Sequence, residues 1–250
     1  MTSARRDPPR STPTRRRPPG RQQLPVLRVF CEDLERGWID HLYQHHRQVN
    51  IVWEGGLGVP ASVVSRAVEA TQPQDEVWVV VDRDEHDLSS ALVRARDHHF
   101  GIIFSNPCFE LWPILHLRDH QRREERDKLQ HQLKSEHPGY DHDAGARCDW
   151  SVLCPGERDA VERAWRLHTR SPDDTTWVAP GRTSQGPQGA FANPTTTAWL
   201  LHIRCAEPHR LMSSEPDGLI HWLRQHPSMR VLVRCLPRQL RVAVSRALGE

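Results

Sequence analysis

Val77-Trp78-Val79-Val80-Val81-Asp82-Arg83-Asp84-Glu85-His86 decides the reading of this chain. A run of strand-forming residues stops at two aspartates spaced i, i+2, with a glutamate and a histidine directly behind. Such an apolar run reads as a strand buried on both faces of a parallel sheet. Open parallel sheets place ligands outside the carboxyl ends of their strands, so Asp82 falls where such a sheet puts its chemistry. In extended chain Asp82 and Asp84 project to the same side. Two like charges there are costly unless a proton or a cation compensates them, and hard oxygen ligands suit Mg²⁺ or Mn²⁺. The competing reading is local, because aspartate is also a good N-cap for a following helix.

Outward from this stretch the chain alternates strand and helix. Val26 to Cys31 reads as a first strand ending at Glu32, and Glu35 to Arg47 as a helix with Trp38, Ile39, Leu42 and Tyr43 at helical spacing. A second strand, Val49 to Trp53, ends at Glu54 before the turn Gly55-Gly56-Leu57-Gly58, and Pro60 opens a second helix, where proline is tolerated. After the third strand come a helix from Leu88 to His99, a strand Ile102 to Phe104, and an apolar helix Phe109 to Leu117. This rhythm means βαβ units and right-handed crossovers, a doubly wound α/β sheet. Beyond residue 120 the pattern predicts helix over 119–136, Asp159–Leu167, Pro194–Ile203 and much of Pro216–Leu248. The expected division is a basic tail over 1–23, an α/β core over 24–120, and a mainly helical region over 121–250 packed on that core.

The bulk numbers exclude several classes. With 250 residues there is room for one large domain or for one domain with an extension. A formal net charge of +2 does not announce a nucleic-acid binder. Residues 1–23 hold seven arginines, five prolines and little that is apolar, a composition that predicts a disordered basic tail, read first as plainly solvated and secondly as a charge-only contact with phosphates. No apolar run of about 18 residues exists, so no membrane span is expected. Lys128 and Lys134 are the only lysines, which leaves the first half without a lysine base or nucleophile. The six cysteines form no C-x-x-C pair and point to a reducing cytoplasm without a disulfide framework. His142, Cys148 and Cys154 match no standard zinc spacing.

Three further strings carry a resemblance. Phe30-Cys31-Glu32, Ser105-Asn106-Pro107-Cys108-Phe109-Glu110-Leu111-Trp112 and Asn193-Pro194-Thr195-Thr196, taken with the Asp82 stretch, resemble the RloB family over about residues 24–205. A glutamate and a D-x-D pair at strand ends is also the pattern of the Toprim domain of topoisomerases and primases. The resemblance implies a Toprim-like fold and a metal-dependent endonuclease of prokaryotic antiphage defence. RNA such as tRNA is favoured over DNA as substrate, and an ABC-type ATPase is an expected partner. Two positions depart from the family pattern. The usual Glu-Gly is Glu32-Asp33 here, and Asp141-His142-Asp143 follows Tyr140 where the family carries a basic residue.

Glu32, Asp82 and Asp84 are therefore the expected metal ligands for Mg²⁺ or Mn²⁺, and His86 joins them as a catalytic candidate able to carry protons. Glu85, Glu110 and Arg83 are additional candidates. Arg83 suits a phosphate oxygen. Glu110, set among Phe109, Leu111 and Trp112, reads first as a buried carboxylate with a structural partner. Glu54 is weighed lower, because the glycines after it make a plain turn and no Walker lysine follows. The alternative to a nuclease is a non-catalytic subunit that senses a nucleotide or nucleic acid under the control of an ATPase.

Overall fold

A computed structural model describes residues 26–32, 35–46, 49–83, 88–142, 147–169, 194–216 and 218–250. The basic segment 1–23 lies outside the described residues. The first half runs β1 (Val26–Cys31), α1 (Arg36–His45), β2 (Asn50–Glu54), α2 (Pro60–Ala70), β3 (Glu76–Asp82), α3 (Ser89–Asp97), β4 (Gly101–Asn106) and α4 (Leu111–Leu117). The second half adds α5 (Arg126–Glu136), α6 (Trp150–Leu153), a 3-10 turn (Cys154–Gly156), α7 (Glu157–Thr169), β5 (Thr195–Thr196), α8 (Ala198–Ala206), α9 (Pro208–Met212), α10 (Leu219–Gln225), a 3-10 stretch (Pro227–Cys235) and α11 (Arg238–Leu248).

The strands form one sheet in the order β2-β1-β3-β4-β5. The first four are mutually parallel, and β5 pairs antiparallel with β4. With helices packed around it, this is the doubly wound α/β sheet with a mainly helical C-terminal part. The apolar run over Val77–Val81 is buried residue by residue because the strand lies in the middle of the sheet.

Two expectations are corrected. Helix was predicted from 119, but α5 begins at Arg126. The chain leaves α4 extended at Arg118, whose side chain reaches Glu136 at 2.8 Å and Gln132 at 3.1 Å on α5, so residues 119–125 form a loop between the two. Helix was also predicted from Pro194. Instead Thr195 and Thr196 add the fifth strand, and helix starts at Ala198. β-branched threonines fit a strand better than a first helical turn, and their hydroxyls are taken up by the sheet and by α7. Thr196 Oγ1 lies 2.9 Å from Ser105 Oγ, and Thr195 Oγ1 lies 3.0 Å from His168 Nδ1.

Among the described residues most tryptophans build the core, as their spacing implied. Trp38 of α1 packs on Phe109, Trp112 and Trp150, joining the first half to the second, while Trp165, Trp199 and Trp222 make a further cluster between α7, α8 and α10. Arg204 of α8 clamps Glu76 at the start of β3 with two bonds of 2.9 Å. Among the described residues no helix is long and apolar enough to cross a membrane.

Candidate metal centre at the sheet's switch point

The order 2-1-3-4 means that the chain leaves β1 towards one edge for β2 and crosses to the other side for β3. A crevice opens at such a reversal, outside the carboxyl ends of the strands. Glu32 directly follows β1 and Asp82 is the last residue of β3, so both stand at the reversal. They touch there: the Asp82 backbone N–H donates to Glu32 Oε1 at 3.3 Å. The glycine turn after β2 holds the backbone of this pair. Gly56, at φ 75°, donates its N–H to the Glu32 carbonyl, a conformation that favours glycine.

The Asp82 side chain is the centre of the arrangement. It is buried, with one oxygen, Oδ2, accepting the Phe109 N–H at 2.9 Å. The other, Oδ1, is buried without a hydrogen-bond partner among the described residues. Burial lifts the Asp82 carboxyl well above its ordinary range; the charges of Glu35, Glu110 and Glu32 add to the rise, and the Phe109 N–H opposes it. A buried acid with one oxygen unsatisfied, ringed by three further carboxylates, needs a proton or a cation. The donor set is all oxygen, which fits a hard divalent ion.

Glu110 is held from the second half of the chain. Tyr140 Oη donates to Glu110 Oε1 at 2.7 Å, Gln130 Nε2 donates at 3.0 Å, and His142 Nδ1 stands 3.8 Å away. Burial and the Glu110 charge hold the Tyr140 hydroxyl protonated and push the Cys148 thiol up to about 12. Glu110 is thus buried and hydrogen-bonded, as a structural carboxylate would be, and its charge is felt at Asp82.

The string from Ser105 to Trp112 makes this geometry. After β4 the chain turns at Asn106-Pro107, so that the Phe109 N–H caps Asp82 and Glu110 follows on the same approach. β5 braces the turn from the other side, pairing with Ser105 and Asn106. Arg83 donates its backbone N–H to the Ser105 carbonyl at 2.9 Å. Its guanidinium pKa is lowered by burial and by the charge of Arg123. Asp84, Glu85 and His86 lie outside the described residues. Glu54 is drawn off to the surface, where Arg66 binds it at 2.7 Å.

Glu35 was not foreseen. It stands at the N-terminal boundary of α1 yet makes no capping bond with its side chain, and it is 1 % exposed. The sequence signal was its position three residues after Glu32, but acidic residues at helix starts are common on surfaces, and only the packing of α1 reveals the burial.

A second group of ligand-type side chains lies elsewhere. His41 of α1, Cys154 of the 3-10 turn and Glu157 of α7 bring a nitrogen, a sulfur and an oxygen within 4.8 Å of one another, a group that can hold a metal ion. Cys154 thus keeps company with His41 and Glu157, and not with the His142 and Cys148 considered from sequence. Burial alone would raise Glu157, but His41, His202, Cys154 and His46 together draw it down to about 2. Burial, together with Glu157, pushes the Cys154 thiol up to about 12, and burial lowers His202 to about 4.

A family model described as RloB-like protein matches residues 27–202. Comparison with curated proteins and with solved structures finds no match.

Proposed function

The chain belongs to the RloB-like protein family, and from that premise and the acidic centre we propose that it is a metal-dependent phosphodiesterase, an endonuclease with RNA favoured as substrate, acting in antiphage defence. The carrying observation is Asp82: a buried carboxylate at the switch point, with Oδ1 unsatisfied among the described residues and three acidic neighbours. Asp82 and Glu32 hold the ion, Mg²⁺ or Mn²⁺, and the proposal takes Asp84 as a third ligand from its spacing alone. The bound ion supplies Lewis acidity to a phosphate oxygen and a water acidic enough to attack. Glu35 and Glu110 keep the site electronegative enough to retain a divalent cation. Arg83, directly after β3, pairs with phosphate oxygens, the role for which a planar guanidinium is suited. His86 is proposed to carry a proton, Glu85 to support the ligands, and an ABC-type ATPase to control the activity; these rest on sequence and family resemblance.

The test has two parts. Mn²⁺ binding to the purified protein, followed by electron paramagnetic resonance, should be strong in wild type and lost in Asp82→Asn. Cleavage of tRNA and of plasmid DNA should require Mg²⁺ or Mn²⁺ and vanish in the same variant. Unchanged Mn²⁺ binding by Asp82→Asn would remove the basis of the proposal, whatever the cleavage assay gives.

A further inference from the structure

The His41–Cys154–Glu157 group belongs to no part of the acidic centre, and its chemistry differs. It offers an imidazole, a thiol and one carboxylate, a set that suits a borderline transition metal rather than Mg²⁺. The three donor atoms form a closed triangle. His41 Nε2 stands 2.7 Å from Cys154 Sγ and 3.3 Å from Glu157 Oε1, and Sγ lies 3.2 Å from that same oxygen. Donors on a tetrahedral zinc ion stand about 3.3–3.5 Å apart, given bond lengths of about 2.0–2.3 Å. The nitrogen–oxygen edge already has this length, and the two edges to sulfur reach it if Sγ withdraws by less than about 1 Å. A fourth donor faces the other carboxylate oxygen: His202 Nε2 lies 4.0 Å from Glu157 Oε2.

Further buried imidazoles crowd the same carboxylate. His202 is 2 % exposed, and its Nδ1 is buried without a hydrogen-bond partner among the described residues. His46 Nε2 is in the same condition, and its ring stands edge-on to His202 with centroids 6.0 Å apart. Buried imidazole nitrogens left unsatisfied are costly in a packed interior. Polar groups thus collect around Glu157 where Trp112 and Trp150 otherwise make an apolar core.

We infer that His41, Cys154, Glu157 and His202 form a structural zinc site. Three of these donors already stand within 4.8 Å of one another, and His202 must move in towards them to complete the four protein ligands that structural zinc sites have. Its ligands come from α1, the 3-10 turn, α7 and α8, so the ion fastens the second half of the chain to α1. α1 begins beside Glu35, about 9 Å along the helix from His41 at 1.5 Å per residue. The staple therefore also fixes the helix that delivers a carboxylate to the acidic centre. Binding replaces the thiol proton by the metal: the S–H bond breaks, Zn–S forms, and the proton leaves to solvent.

The experiment measures zinc in the full-length protein by mass spectrometry, after purification without chelator and after addition of Zn²⁺ alone. One zinc ion per chain is expected, and the same in Asp82→Asn, which separates this site from the acidic centre. Cys154→Ser should lose the ion or hold it far more weakly. With Co²⁺ in place of zinc, wild type should show a thiolate-to-cobalt charge-transfer band that Cys154→Ser lacks. Wild type alone gives a further readout, should the variant not fold. Alkylation mapped by peptide mass should show Cys154 protected by Zn²⁺ and exposed by chelator, while Cys148, which is also partly exposed, reacts alike in both. Absence of stoichiometric zinc, or Cys154 alkylation indifferent to Zn²⁺, overturns the inference and leaves a hydrogen-bonded polar cluster only.

Discussion

Asp82 carries opposite demands from the fold and from the proposed metal site. Its raised pKa means that the folded chain binds a proton more tightly than the unfolded chain does. Between the ordinary carboxylate range, about 4, and that raised value, the native state holds more protons, so stability falls as pH rises through this window. At neutral pH, without metal, Asp82 is thus a burden. Asp82→Asn keeps the volume and an acceptor for the Phe109 N–H while deleting the charge. The variant should melt higher than wild type at neutral pH in chelator, and the gap should shrink as pH is lowered towards 4. A lower melting temperature at neutral pH would contradict the assignment of repulsion to this site. Glu110 supplies the contrasting case. Glu110→Ala strands the Tyr140 hydroxyl and the Gln130 amide, at a cost of about 1–3 kcal/mol, whereas Glu110→Gln keeps an acceptor and should stay near wild type in urea unfolding. Equal losses in both would show that the charge, not the hydrogen bonds, holds Tyr140. Asp82 was legible in sequence because a long apolar run ended on it. Glu35 was not, because nothing in a single glutamate distinguishes a buried helix start from an exposed one.

At the scale of elements, the sheet was readable from apolar runs and the helices from spacing, while their ends were not. β4 was expected from Ile102, yet it begins at Gly101, and that residue has a job. Gly101 pairs with Trp78 on β3, and a Cβ there would meet Trp78 ring carbons at 2.5 and 2.6 Å and Pro237 Cδ at 2.9 Å. The indole lies across the glycine, and the C-terminal segment closes over both. Gly101→Ala must push the ring or the segment aside, so an overpacking cost of about 1–3 kcal/mol is expected. Denaturant unfolding read by tryptophan fluorescence checks this, and an unshifted midpoint would mean that the Trp78 ring yields freely. β5 was missed for a related reason. Two residues are too few to show an alternating pattern, and Asn193-Pro194 resembles a helix start. The pairing that makes Thr195 and Thr196 a strand lies about 90 residues away in sequence, on β4. The His41–Cys154–Glu157 group escaped in the same way: its members are 113 and 116 residues apart, so no spacing motif could announce it.

For the whole molecule, charge distribution decides how a polyanion is met. Residues 1–23 carry seven arginines against one acid, Asp7, which leaves 27 basic and 31 acidic residues in the remainder. The remainder is therefore net negative, and its centre gathers Glu32, Glu35, Asp82 and Glu110. Under the proposed function, an RNA backbone approaching that centre would be repelled until a divalent cation offset the carboxylates. Affinity of the isolated chain should accordingly depend on metal and on the basic segment, and should be governed by counterion release. Phosphate-driven binding falls steeply between about 50 and 200 mM salt. Measured by fluorescence anisotropy with Mg²⁺, RNA binding should weaken at least about tenfold across that range. Deleting residues 1–23 should lower both the affinity and the salt slope while leaving the melting temperature unchanged. Weak intrinsic binding of this kind is what the proposed control by an ATPase requires, since a chain that gripped and cut RNA unaided would leave a partner nothing to regulate. Tight binding that survives 200 mM salt, with rapid turnover and no other protein present, would show that the folded part reads its substrate by itself and would remove the case for a partner.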